Sequence, residues 1–187
     1  MERRDARNIM EALLFITEQP VPLKSFVDLF DQQFAAVELE RMVMEISQKY
    51  QEQGSPLELR EIAGGWQFSS RPEFAPWIRK LFKDRLTYRL SSSAMETLSI
   101  IAYKQPITRS EMEEIRGVEV SAVLETLIER RLVRVAGRRE TVGRPLLYGT
   151  TPDFLKAFGL NTLENLPSIE SLTAPVEMPL EQESPIQ

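Results

Sequence analysis

SSSAMETLSIIAYKQPITRSEMEEIRG, residues Ser91–Gly117, decides how the rest of the chain is read. It reads as a helix, a very short turn and a second helix. Ser93 and Glu96 have the Ser-x-x-Glu spacing with which a side chain and a backbone amide cap each other at a helix start. Ala94, Leu98, Ile101 and Ala102 then fall on one helical face. Gln105-Pro106 ends that helix, because proline disfavours helical geometry in the residue before it. Thr108 and Glu111 repeat the capping spacing, Met112 and Ile115 give the next helix an apolar side, and Gly117 closes it. Two capped helices joined this tightly open a helix-turn-helix unit.

Downstream, residues 121–131 continue as a third helix with Val123, Leu124, Leu127 and Ile128 inward. Leu132, Val133 and Val135 then read as a strand, Gly137 to Gly143 as a wing, and Leu146, Leu147 and Tyr148 as the return. The first half follows the same plan. Helices are expected over 6–17 (Ile9, Leu13 and Ile16 on one side), 23–30 and 36–53, followed by a hairpin turning at Gly64-Gly65. A further helix spans about 74–83. Gln19-Pro20-Val21 matches Gln105-Pro106-Ile107, and Phe26 and Leu29 match Met112 and Ile115 at the same offset. Near the wings, Trp66, Phe68, Pro72 and Phe74 match Leu146, Tyr148, Pro152 and Phe154.

The expected fold is therefore mainly α with small β-hairpins (α+β): tandem duplicated winged-helix domains over 1–86 and 87–167. Domains this small bury only ~60–65% of their unfolded surface, so packing against each other or a partner would help. From Pro167 onward come four prolines, four glutamates and no basic residue. Such a segment cannot offset its own ordering entropy, so 168–187 reads as a disordered Pro/Glu-rich tail. Leu172, Val176, Met178 and Leu180 within it form a sparse apolar strip that could dock elsewhere.

Composition narrows the chemistry. The chain has 187 residues, 42% hydrophobic and 27% charged, with a net charge of -5 that argues against a dedicated nucleic-acid coat. It has no cysteine and no histidine, which removes thiolate nucleophiles, the usual zinc ligands and the commonest general base. No phosphate loop, dinucleotide turn or Ser-x-x-Lys pair occurs. Glu111/Glu113/Glu114 and Glu38/Glu40 read as solvated helix faces. The expectation is a protein without enzymatic activity, cofactor or metal. The apolar part of MERRDARNIMEALLFITEQP is too short and too interrupted by charge for a signal or membrane segment, so a cytoplasmic location is expected.

In a DNA-reading winged helix the third helix enters the major groove. Here its outward positions, Ala122, Glu125, Thr126, Glu129 and Arg130, turn carboxylates toward the phosphates. Positive charge gathers instead on the second wing, where Arg134, Arg138 and Arg139 are candidate phosphate contacts and a solvated hairpin is the alternative. Candidate protein-binding residues are Tyr103, Lys104, Gln105 and Pro106 with Arg144, Pro145 and Tyr148, since the two turns concentrate anchor-type side chains. Tyr103 and Tyr148 serve equally well to close the small core. Phe26, Phe30 and Phe34, spaced by four, offer apolar surface for a dimer or else fill the first core.

Taken together, EALLFITEQP, IAGGWQFSSRPEF, LSIIAYKQPITRSEMEEIRGV and GRPLLYGTTPDFLKAFGL, in this order, resemble the segregation and condensation protein B family of bacteria over residues 8–167. The resemblance implies two winged-helix domains, no enzymatic activity, and a homodimer paired through its N-terminal domains. It implies binding to the kleisin subunit, segregation and condensation protein A, which bridges the heads of an SMC ATPase. The complex would act in chromosome condensation and segregation during the cell cycle, in the cytoplasm on the nucleoid, with DNA contact weak or indirect. On that reading the kleisin is engaged by the second domain and ATP hydrolysis belongs to the partner. The alternative is a tandem winged-helix DNA-binding transcriptional regulator using its arginine wing.

Overall fold

In the computed structural model, which describes residues 1–82 and 90–169, the chain builds one succession of elements twice. The first pass is α1 (Arg3–Ile16), α2 (Leu23–Leu29), α3 (Ala36–Glu52), β1 (Leu57–Ile62), β2 (Gly65–Ser70) and α4 (Ala75–Leu81). The second is α5 (Ser92–Lys104), β3 (Ile107–Thr108), α6 (Arg109–Arg116), α7 (Ser121–Glu129), β4 (Val133–Arg138), β5 (Leu146–Thr150) and α8 (Pro152–Phe158). Each pass is a winged helix: three helices feed an antiparallel hairpin. The link between the first two helices pairs with the hairpin's return strand. In the second domain this gives the sheet β3-β5-β4, with Ile107 opposite Tyr148. In the first, the link is a single bridge, Val21 to Trp66, closed by two N–H···O bonds of 2.8 and 2.9 Å.

These pairings refine the sequence repeat. If Val21 corresponds to Ile107, Trp66 corresponds to Tyr148 and not to Leu146. The shift of two residues keeps side chains on the same face of the strand, because strand side chains alternate with period two.

Each domain has its own core. Ala6, Met10 and Leu14 of α1 meet Phe26, Phe30, Leu39, Met42, Val43 and Ile46 in the first. Of the expected inward stripe of α1, Leu13 packs against the core, whereas Ile9 is 38% and Ile16 75% exposed. The helix carries apolar residues on more than one face, so spacing alone did not distinguish them. In the second domain Ala94, Leu98, Ile101 and Ala102 are buried as expected, against Met112, Leu124, Leu127, Tyr148 and Phe154. Ile115 (49% exposed) and Ile128 (38%) instead face outward.

The caps also differ in part from expectation. Thr108 and Glu111 form the predicted reciprocal cap, and Gly117 ends α6 at φ 69°. At α5 the cap is Ser91, whose Oγ accepts the Ala94 N–H at 3.2 Å. Ser93 and Glu96 serve another purpose: Arg116 donates to Ser93 Oγ (2.9 Å), Thr97 Oγ1 (3.0 Å) and Glu96 Oε2 (2.7 Å). That guanidinium ties the end of α6 to the first turns of α5.

The first wing rests on the segment following α8. Ala63 N–H donates to the Leu160 carbonyl (2.9 Å) and Gly64 N–H to Asn161 Oδ1 (2.8 Å). The Lys156 ammonium donates to the Glu18 carbonyl (2.7 Å) and Gln19 Oε1 (3.0 Å) at the end of α1. The expected domain boundary at 86/87 lies outside the described residues, as does the expected tail from residue 170. Among the described residues, no helix is long and apolar enough to cross a membrane.

Candidate functional site

α5 ends at Lys104, and the next residue turns inward. Gln105 Nε2 donates to the Ala102 carbonyl (3.2 Å) and to Thr150 Oγ1 (2.9 Å), while its Oε1 accepts the Thr150 N–H (2.8 Å). This leaves Lys104 and Pro106 exposed on either side of a half-buried amide. Together with Ile107, Glu111, Glu114, Ile115 and Arg139 they line a groove of about 400 Å³ between the turn, α6 and the second wing.

The wall of the groove is set by Glu111. Its carboxylate accepts from the Thr108 N–H (2.9 Å) and hydroxyl (2.8 Å), and from both terminal nitrogens of Arg139 (2.8 and 3.0 Å). The Arg139 guanidinium first, then the Thr108 amide and hydroxyl, pull the Glu111 carboxyl down to a pKa of about 2. A bidentate pair of this kind holds the wing against α6 with a defined orientation. The result is a concave surface with a cation at Lys104, a carboxylate at Glu114, and Pro106 and Ile115 as apolar contacts. Such a surface suits a peptide that brings an apolar side chain flanked by charge.

The structure brings together only part of the predicted protein-binding set. Lys104 and Pro106 line the groove. Gln105 is committed to Ala102 and Thr150, and Tyr148, 9% exposed, belongs to the second core. Both side chains are engaged within the fold, Gln105 holding the turn to β5 and Tyr148 closing the second core, the second of the two roles its spacing allows. Tyr103 is half-buried and donates its hydroxyl to the Pro167 carbonyl (2.7 Å). Arg144 and Pro145 sit at the foot of the wing, where their carbonyls accept from Arg138 Nη1 (3.1 Å) and the Arg139 N–H (2.9 Å). Of the predicted phosphate contacts, Arg134 and Arg138 are exposed, whereas the Arg139 guanidinium is engaged by Glu111. Ile115 and Glu114 were missed as groove residues. The spacing of Ile115 to Met112 reads as core, and Glu114 as one of a solvated run, so neither signals a groove.

Of the two expected places for Phe26, Phe30 and Phe34, a dimer surface or the first core, the structure shows the core. Phe26 (1% exposed) and Phe30 (6%) lie in the first core, and Phe34 packs edge-on against Phe30 with ring centroids 5.7 Å apart. The apolar groups that do reach the surface nearby are Met1, Ile9 and Leu29, around a cleft whose lining includes Phe30.

Duplicated winged helices, each with an acidic third helix, and a mixed-charge groove at the second helix-turn-helix define a tandem winged-helix protein. The family description "Segregation and condensation complex subunit ScpB" matches residues 8–169, and the chain belongs to that family. It is 44% identical to segregation and condensation protein B of Desulforamulus reducens, covering 90% of this chain and 91% of the relative. It is 45% identical to that of Moorella thermoacetica, covering 91% and 86%. Among solved structures, ScpB from Mycobacterium tuberculosis is 29% identical over 86% of this chain and 98% of that one, with a TM-score of 0.41. A superposition that loose transfers no interface.

Proposed function

We propose that this chain is a non-enzymatic accessory subunit of the bacterial SMC–kleisin complex, acting in chromosome condensation and segregation. Family membership supports the complex; the groove around Lys104, Pro106 and Ile115 is the observation that supports a kleisin contact on the second domain. A kleisin segment with an apolar anchor would seat against Pro106 and Ile115, with an acidic side chain toward Lys104 and a basic one toward Glu114. Homodimerisation uses the first domain, through the apolar surface of Ile9 and Leu29 over the Phe30 ring. Outward Glu125 and Glu129 on α7 disfavour groove reading of DNA, so DNA is reached through the partners.

The test is calorimetric titration of the cognate kleisin into the wild type and into Lys104→Glu with Ile115→Glu. Both positions are exposed, so the variant keeps its fold. A loss of affinity of tenfold or more supports this placement; unchanged affinity refutes it.

A further inference from the structure

α4 carries an apolar stripe that the fold leaves uncovered. Phe74 at its cap, Trp77, Ile78 and Leu81 have the i, i+3, i+4, i+7 spacing of one helical face. All four are exposed, Trp77 at 68% and Leu81 at 78%. No residue of α4 belongs to either core. A helix of seven residues does not persist in water by itself, since isolated helices need roughly 12–15 residues. Its helical form calls for a surface over the stripe, and among the described residues its own chain supplies none. Connected apolar surface of this kind marks a docking site.

The charges beside the stripe narrow the choice of partner. Arg79 and Lys80 flank it on either side, and neither is in an ion pair among the described residues. Arg79 Nε donates to the Ala75 carbonyl (3.3 Å), and the Lys80 ammonium stands 5.9 Å from the Trp77 ring centroid. Two α4 helices laid together would set these cations against their own copies, which disfavours self-pairing. The outward face of α1 fits better. Ile9, Phe15 (69% exposed) and Ile16 stand clear of the first core there. Around them the exposed carboxylates Glu2, Asp5 and Glu18 outnumber Arg4, while Arg3 and Arg7 pair with Glu45. This face is also continuous with the Ile9 and Leu29 surface assigned to dimerisation. The stripe and the α1 face together expose roughly 800 Å² per copy, about what one partner of a standard interface buries.

We propose that α4 is a dimerisation arm, its stripe in one copy packing across the outward face of α1 in the other, with the two-fold repeating the contact. Trp77 and Leu81 meet Phe15 and Ile16, and Arg79 and Lys80 stand toward the carboxylates beside them. The exchange rests on the homodimer proposed for the first domain, and it covers apolar surface that Ile9 and Leu29 alone leave open.

The test uses two double variants of the full chain, Trp77→Asp with Leu81→Asp and Phe15→Asp with Ile16→Asp. All four positions are exposed, so the helical signal in circular dichroism should stay that of the wild type. Sedimentation equilibrium should show each variant dimerising about tenfold more weakly than the wild type, or worse. Mixed in equal amounts, the two should recover part of that loss. A mixed pair keeps one intact contact between α4 and α1, whereas neither variant alone keeps any. Two weakened variants that show no recovery on mixing overturn the exchange, because each helix would then meet its own counterpart. Variants as dimeric as the wild type also overturn it and leave the Ile9 and Leu29 surface standing. A monomeric wild type overturns both. Variants that dimerise normally but lose kleisin affinity assign the stripe to that partner and overturn the exchange equally.

Discussion

Gln105 and Thr150 grip each other at both ends of one amide: Gln105 Oε1 accepts the Thr150 N–H at 2.8 Å, and Nε2 donates to Thr150 Oγ1 at 2.9 Å. The residue before Pro106 thus fastens the end of α5 to the last residue of β5. Gly149 leaves room for it, since a Cβ there would stand 2.9 Å from Gln105 Oε1. Gln105→Ala orphans a buried backbone donor and should cost about 1–3 kcal/mol. Urea denaturation will show the loss, while the kleisin affinity of the folded fraction stays as in the wild type.

Glu111 makes stability depend on acid. Its folded pKa of about 2 lies below the ordinary 4.5, so its contribution is fully present above pH 4.5 and is lost as pH falls toward 2. Glu111 and Arg139 side chains are each 38% exposed, which limits that pair to at most about 1 kcal/mol. Loss of the helix cap adds about 1 kcal/mol more. Glu111→Gln should therefore lower the urea midpoint at pH 7 and much less at pH 2.5. Arg139→Ala should show a smaller gap of the same sign.

Gly65 opens the first wing's return strand against the Val21 bridge. A Cβ there would lie 2.8 Å from the Pro20 carbonyl carbon and 2.9 Å from that of Val21. Because both neighbours are backbone, neither can rotate away, and Gly65→Ala should cost about 1–3 kcal/mol. Thermal unfolding followed by circular dichroism will measure it. A melting temperature equal to the wild type's would contradict the close approach.

The dimer surface separates exposed apolar groups from core aromatics. Ile9→Asp with Leu29→Asp should give a folded monomer by sedimentation equilibrium, with the wild-type helical signal. Phe30→Asp should instead unfold the first domain, because it buries a charge in a core with no partner for it. A dimer that persists in the first variant would move the interface elsewhere.

Much of the fold was legible in the sequence because its signals were local. Thr108 and Glu111 cap, Gly117 stops, and Ala94–Ala102 face inward, all from spacing within one element. What escaped depended on contacts distant in sequence. Ser93 and Glu96 have a cap's spacing, but Arg116 occupies them from another helix. Ile9 and Ile16 share a periodicity with the true core residues Met10 and Leu14, and only the position of α3 decides between the faces. The same held at the site. Tyr148 and Gln105 read as anchors and Arg139 as a phosphate contact because exposed turns attract such residues, yet each side chain is engaged within the fold. Ile115 looked like core and stands in the groove.

The most direct test of the central claim is sizing chromatography with light scattering on the purified chain mixed with the kleisin from the same organism. A stable co-eluting complex whose mass includes two copies of this chain, resistant to moderate salt, is the predicted result. Absence of any complex, together with salt-sensitive retention on a DNA column, would contradict the subunit assignment and point to the exposed Arg134 and Arg138 of the wing.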